Sequence, residues 1–206
     1  MCVPDRESPP QTLRADELVA GRSFCDPVHT HGDLATLESL RRVLRHAAAG
    51  RRSSRVELAD EIGAHTLVVP DWAALEAAGD VTLIGFFGQA RDDVDHAAIV
   101  ALEEDIIARA ATFPGLLAYH NTQLENGQWC NFVAFTSHSA TAAITSDAVH
   151  SSAVAGAPAH YASLRLHRAA LAGGCLGAAP ASIRETLYFD FGEAPAWRAI
   201  RAGAPA

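Results

Sequence analysis

The stretch VTLIGFF, Val81–Phe87, is apolar at odd and even positions alike. Both faces of the strand it predicts should therefore be buried. Asp92, Asp93 and Asp95 follow, residues suited to capping a helix and to its positive N-terminal end. Ile99, Leu102, Ile106, Ala110 and Phe113 recur at helical spacing and form one apolar stripe, which Pro114-Gly115 ends. A second strand runs from Leu116 to Leu124, and Asn126-Gly127 is a strong hairpin signal. A third strand spans Gln128 to Thr136. Ser137 or Ser139 can cap an Ala-rich helix reaching about Ser152, before Gly156 and Pro158 break it. The last strand, Tyr161 to Ala169, has Leu164 and Leu166 on one face and Ser163, Arg165 and His167 on the other.

This order is strand–helix–strand–strand–helix–strand. It predicts an α+β protein with a ferredoxin-like βαββαβ core. Three regions are expected: an N-terminal extension, 1–78, packed on the core; the ferredoxin-like α/β-barrel domain, 79–192; and a loose tail, 193–206. Within the extension, residues 1–30 lack any period. Leu34, Leu37, Leu40, Leu44 and Ala48 mark an amphipathic helix over 33–49, capped by Asp33 and ended at Gly50. His65–Val69 reads as a strand cut by Pro70, and Trp72–Ala78 as a short helix. Ile183–Phe191 alternates well enough for one added C-terminal strand.

Composition narrows the function. All sixteen basic residues are arginine. Schiff-base chemistry on lysine and a P-loop lysine are thereby excluded. Beside so much alanine, the lack of lysine suggests a GC-rich bacterial genome. The net charge of −8 argues against nucleic-acid binding, and Arg51-Arg52-Ser-Ser-Arg55 reads as a solvated loop. Cys2, Cys25, Cys130 and Cys175 are scattered, so reduced thiols in a cytoplasm are expected rather than disulfides or zinc. No apolar run is long enough to span a bilayer and the N-terminus lacks secretory features, so no membrane partner is expected. No Gly-x-Gly-x-x-Gly, Gly-x-Ser-x-Gly or His-Glu-x-x-His occurs.

The hairpin provides a candidate site. A two-residue turn at Asn126-Gly127 pairs Leu124 with Trp129, Thr122 with Asn131, His120 with Val133 and Ala118 with Phe135. One face then carries His120, Thr122, Trp129 and Asn131, with Tyr119, Asn121, Gln123, Cys130 and Phe132 opposite. His120 suits a general base near neutrality, Asn131 a donor to a developing oxyanion, and Trp129 and Thr122 a pocket lining. Arg165 with His167 could bind a carboxylate. His150 on the second helix could ligate heme iron. No metal site is expected, and His29-Thr-His31 is a weak pair.

In Val81–Gln89, the Phe113-Pro-Gly115 break, Asn131–Phe135 and the second helix with His150, the core resembles the dimeric α/β-barrel superfamily, in particular antibiotic-biosynthesis-monooxygenase-like domains. The resemblance covers about 90 of the 206 residues. It implies a homodimer, formed by pairing two sheets across a twofold axis, and a pocket for a small hydrophobic, aromatic molecule. It also implies oxidoreductase activity without a held cofactor, or a base-assisted cyclisation. Heme-degrading relatives use an Asn on the first strand, a Trp near the end of the third and a His on the second helix. Here Gln89 and Phe135 or Thr136 occupy the first two places, so heme on His150 is the alternative. A non-catalytic dimeric binding or stress protein is the third expectation.

Overall fold

A computed structural model describes residues 9–50 and 53–203. In chain order the elements are β1 (Gln11–Leu13), a 3-10 turn (Ser23–Cys25), α1 (Val28–Ala49), β2 (Arg55–Ala59), β3 (Ala64–Val68), α2 (Trp72–Ala77) and β4 (Val81–Ala90). There follow α3 (His96–Ala110), β5 (Leu116–Gln123), β6 (Gln128–Phe135), α4 (Thr141–Thr145), α5 (Ala148–His160), β7 (Tyr161–Leu171), β8 (Ala181–Asp190) and β9 (Trp197–Ala202). The strands form a single nine-stranded sheet in the order β1-β9-β8-β7-β4-β6-β5-β3-β2. The pairing of β1 with β9 is parallel, and the others are antiparallel.

This sheet corrects the expected fold class. The strands predicted as a ferredoxin-like core do not close as a four-stranded unit. β3 and β2 extend the sheet beyond β5, and β8, β9 and β1 extend it beyond β7. The expected loose tail supplies β9, which pairs on both sides. Its Arg201 guanidinium donates to the carbonyls of Arg14, Ala15, Glu17 and Cys25, tying the N-terminal segment to the sheet. The solvated loop expected at Arg51–Arg55 gives way at Arg55 to edge strand β2, while Arg51 and Arg52 lie outside the described residues.

β4 is buried on one face and partly buried on the other, and each face has cover from this chain. On one side Val81, Leu83 and Phe87 pack with Leu37, Leu40 and Leu44 of α1. The contact is close: a Cβ on Gly85 would meet Leu37 Cδ1 at 2.8 Å, so a larger residue there would push the Leu37 side chain aside. On the other side Ile84 joins Ile106, Ile107, Val133 and Ile144, contributed by α3, β6 and α4. The expected dimeric barrel needed one bare sheet face to pair with a second copy. α1 occupies that face, so the barrel geometry does not apply.

Two helix boundaries also move. α1 begins at Val28, and Asp33 sits buried inside it rather than capping it. The Ala-rich helix is split into α4 and α5. Asp147 accepts from the Val149 and His150 amides to start α5, which continues through Gly156 and Pro158.

Candidate functional site

The β5–β6 hairpin decides which side chains meet. Leu124 N donates to Gln128 O and Gly127 N to Leu124 O, so the loop is Glu125-Asn126-Gly127. Gly127 has φ +79°, and no non-glycine residue described has positive φ. A two-residue type I′ turn needs positive φ at both central positions, so Asn126 rules it out. The three-residue loop with a left-handed glycine forms instead. Thr122 therefore faces Cys130, Asn121 faces Asn131 and His120 faces Phe132. This one-residue shift corrects the expected site, because it moves every β6 side chain to the other set. His120 and Thr122 point to the α1 side, while Asn131 and Trp129 point to the α3 side with Tyr119 and Asn121.

Under α3 the polar groups satisfy one another. Tyr119 Oη donates to Glu103 Oε2 at 2.6 Å. Asn131 Nδ2 lies 3.1 Å from Glu103 Oε1 and 2.9 Å from Tyr119 Oη. Asn121 Nδ2 donates to Asn131 Oδ1 at 3.0 Å. Burial raises the pKa of Glu103 despite the hydrogen bonds it accepts, and burial next to Glu103 pushes the Tyr119 phenol well up. Trp129 packs with Ile99, Ala157 and Tyr161, its Nε1 buried without an acceptor among the described residues.

On the α1 side there are two further groups. His120 is fully buried, with Nε2 3.2 Å from His65 Nδ1, and His65 Nε2 is 2.7 Å from Asp60 Oδ1. Its other nitrogen lies by the Leu40 backbone without a hydrogen bond of normal geometry. Burial, and then the adjacent His65, lower the His120 pKa to about 3. A base that weak removes few protons at neutral pH. Thr122 Oγ1 donates to the Ala64 carbonyl.

The second group explains Asp33. Arg165 and His167 do bind a carboxylate, and it belongs to α1. Arg165 Nε and Nη2 each lie 2.7 Å from the two Asp33 oxygens, and His167 Nε2 lies 2.8 Å from Oδ2. His167 Nδ1 meets Thr186 Oγ1 at 2.8 Å. Burial alone would raise the Asp33 pKa, but hydrogen bonds from His167 and Arg165 and the Arg165 charge outweigh it, and the net direction is down. These residues pin α1 to the sheet and leave nothing open for a ligand.

His150 is half-buried on α5; burial lowers its pKa against the pull of Asp147, and its Nδ1 has no partner among the described residues. Among those residues no group of three His, Cys, Asp or Glu side chains is gathered to hold a metal ion. No helix of theirs is long and apolar enough to cross a membrane.

Open space occurs elsewhere. A cleft of about 350 Å³ lies between α1 and the sheet. Leu34 and Leu37 of α1 form one wall, and Leu83, Phe132 and Leu171 form the sheet floor. Ala178, Pro180 and Ala181 close the side. Glu38 and Arg41 supply its charges. Arg41 is spent on structure: it donates to the carbonyls of Gly174, Cys175, Gly177 and Ala179, clamping the β7–β8 loop. Glu38 pairs with Arg45 at 2.9 Å and Arg41 at 3.3 Å, and its carboxylate remains partly exposed. The cleft escaped sequence reasoning because its lining comes from four distant segments: α1, β4, β6 and the end of β7 with the loop into β8. The one local sign was an arginine, Arg41, next to the Leu37–Leu40–Leu44 stripe.

No family model and no curated protein matches this sequence. A solved structure, the NE2512 protein of unknown function from Nitrosomonas europaea, aligns with a TM-score of 0.43 at 16% identity. It covers 50% of this chain and 99% of its own. The oxidoreductase expectation came with the family resemblance, and the single nine-stranded sheet removes the barrel on which that resemblance rested.

Proposed function

We propose that this is a non-catalytic binding protein for a small, mainly hydrophobic molecule held in the cleft between α1, the sheet and the β7–β8 loop. The observation that carries this reading is the apolar lining of a cleft of about 350 Å³, within the range that small ligands occupy. The polar side chains suited to chemistry support it from the other direction. His120, Asn131, Arg165 and His167 are buried and engaged by residues of their own chain. A ring would lie against the accessible apolar lining, Leu34, Ala178, Pro180 and Ala181, and a hydroxyl or amine on it would reach Glu38.

Titration with a neutral fluorescent naphthylamine, followed by displacement with simple phenols and indoles, tests the proposal. Saturable binding of one probe per chain is expected, abolished by Ala181→Trp with the melting temperature retained. Probe binding indifferent to Ala181→Trp would place the ligand elsewhere and end this reading.

A further inference from the structure

On β7, β8 and β9 the usual burial of side chains is inverted. The face toward α1 and the N-terminal segment buries Arg165, His167, Thr186, Tyr188 and Arg201, each at 5% exposure or less. The opposite face carries Leu164, which is buried, and Leu166, Leu187, Phe189 and Ile200, which are partly exposed, with Arg168, Glu185 and Arg198 beside them. Leu166, Leu187 and Ile200 line up across the three strands in one row, with Phe86 of β4 continuing it. Phe189, one row along, stacks on Phe191 at 6.2 Å. α3, α4 and α5 pack over β4, β5, β6 and β7, and none of them makes an extensive contact with β8 or β9 among the described residues.

Beside this bare floor stands α5. Between Ala148 and His160 it holds no Asp, Glu, Lys or Arg. Its apolar residues run all round the helix, the pattern of a helix that is covered on every side. Yet only Ala157 of this helix is fully buried, and Val154 is 60% exposed.

We infer that a second copy of this chain covers the floor, each copy laying the outer side of its α5 on the other's β7–β8–β9 face across a twofold axis. Each chain has a partly exposed apolar sheet surface and an uncharged helix whose outer side is uncovered, so the surface is complementary to itself, as an isologous contact requires. At the floor's edge Arg168 and Glu185 already neutralise each other at 2.5 Å, which lets that edge be covered without an unpaired charge. Two contacts of a helix about 20 Å long and about 10 Å wide on a sheet would bury on the order of 800 Å², counting both surfaces, the size of a small, reversible interface. The face differs from the one α1 covers, so this dimer is not a joined barrel.

Light scattering of the full chain at tens of micromolar should give twice the chain mass of 21.7 kDa. Leu187→Arg and Val154→Arg should each weaken the association at least tenfold. If Leu187→Arg fails to fold, Val154→Arg on the helix surface decides. In a Cys2→Ser background, mixing Val154→Cys chains with Leu187→Cys chains should yield a disulfide-linked pair on oxidation, beyond what either forms alone. The native thiols of Cys25, Cys130 and Cys175 are buried and do not compete. A monomer at these concentrations overturns the proposal, as does a dimer that both arginine variants leave intact. A monomer that instead captures an unrelated protein on this face overturns the second-copy assignment.

Discussion

His120 and Asn131 stand one register step apart on hydrogen-bonded strands, and their side chains leave the sheet on opposite sides. No ligand can touch both. A mechanism that asks one to remove a proton and the other to steady the resulting oxyanion has no place to occur. What each does instead is structural, and structural roles can be measured.

His120 should make the fold sensitive to mild acid. Its folded pKa of about 3 lies below the ordinary histidine value of 6.5. The unfolded chain takes up a proton as pH falls below ~6.5, and the native chain does so only near its own pKa. The stability this residue contributes is therefore complete above ~6.5 and lost as pH falls toward 3. Between pH 7 and pH 5 the wild type should lose about 2 kcal/mol more than His120→Leu. Urea melts at both values test this, and parallel losses in the two proteins would show that His120 does not stay neutral in the fold.

Asp33 should be expensive to remove. Asp33→Ala leaves Arg165 and His167 buried beside Phe87 with no carboxylate. Breaking a buried pair by deleting one partner costs about 3–5 kcal/mol. Asp33→Asn keeps the shape and part of the hydrogen bonding and should cost less. Chemical denaturation of the two variants gives the order. If Asp33→Ala were as stable as wild type, the buried pair would not be holding α1 to the sheet.

Tyr119→Phe should be felt, because the phenol joins Glu103 to Asn131. Removing it leaves buried groups without a partner, at about 1–3 kcal/mol. The expected drop in melting temperature should disappear when Glu103→Leu is already present, since both changes act on one network. Additive losses would mean the two residues are not coupled.

The residues that announced these elements did so through local chemistry. β4 was legible because its apolar residues occupy both faces, and α1 because Leu37, Leu40, Leu44 and Ala48 repeat with the helix. Asn126-Gly127 marked the hairpin but not the loop length, since the pair suits a two-residue turn and also a three-residue loop with glycine last. One residue of slip then reversed the faces. The remainder depended on partners far along the chain. Asp33 meets Arg165 across 132 residues, and Arg201 reaches Cys25 across 176. Nothing next to Asp33 in the sequence distinguishes a helix cap from a buried ion-pair partner. β9, rich in alanine and arginine, gains its strand character from pairing with β8 and β1.

Arg41 links stability to the proposed ligand. Its guanidinium spreads donors over four carbonyls between Gly174 and Ala179, and the same loop closes the cleft through Ala178 and Pro180. Lysine keeps the charge but has three donors on a single nitrogen and cannot span that arc. Arg41→Lys should therefore loosen the loop while the sheet stays folded. Amide exchange should quicken at residues 172–180 and stay near wild type in β4 and β6. Naphthylamine affinity should fall roughly tenfold, about 1.4 kcal/mol. Faster loop exchange with undiminished probe binding would separate the loop from the ligand site, and the cleft would then owe its closure to α1 and the sheet alone.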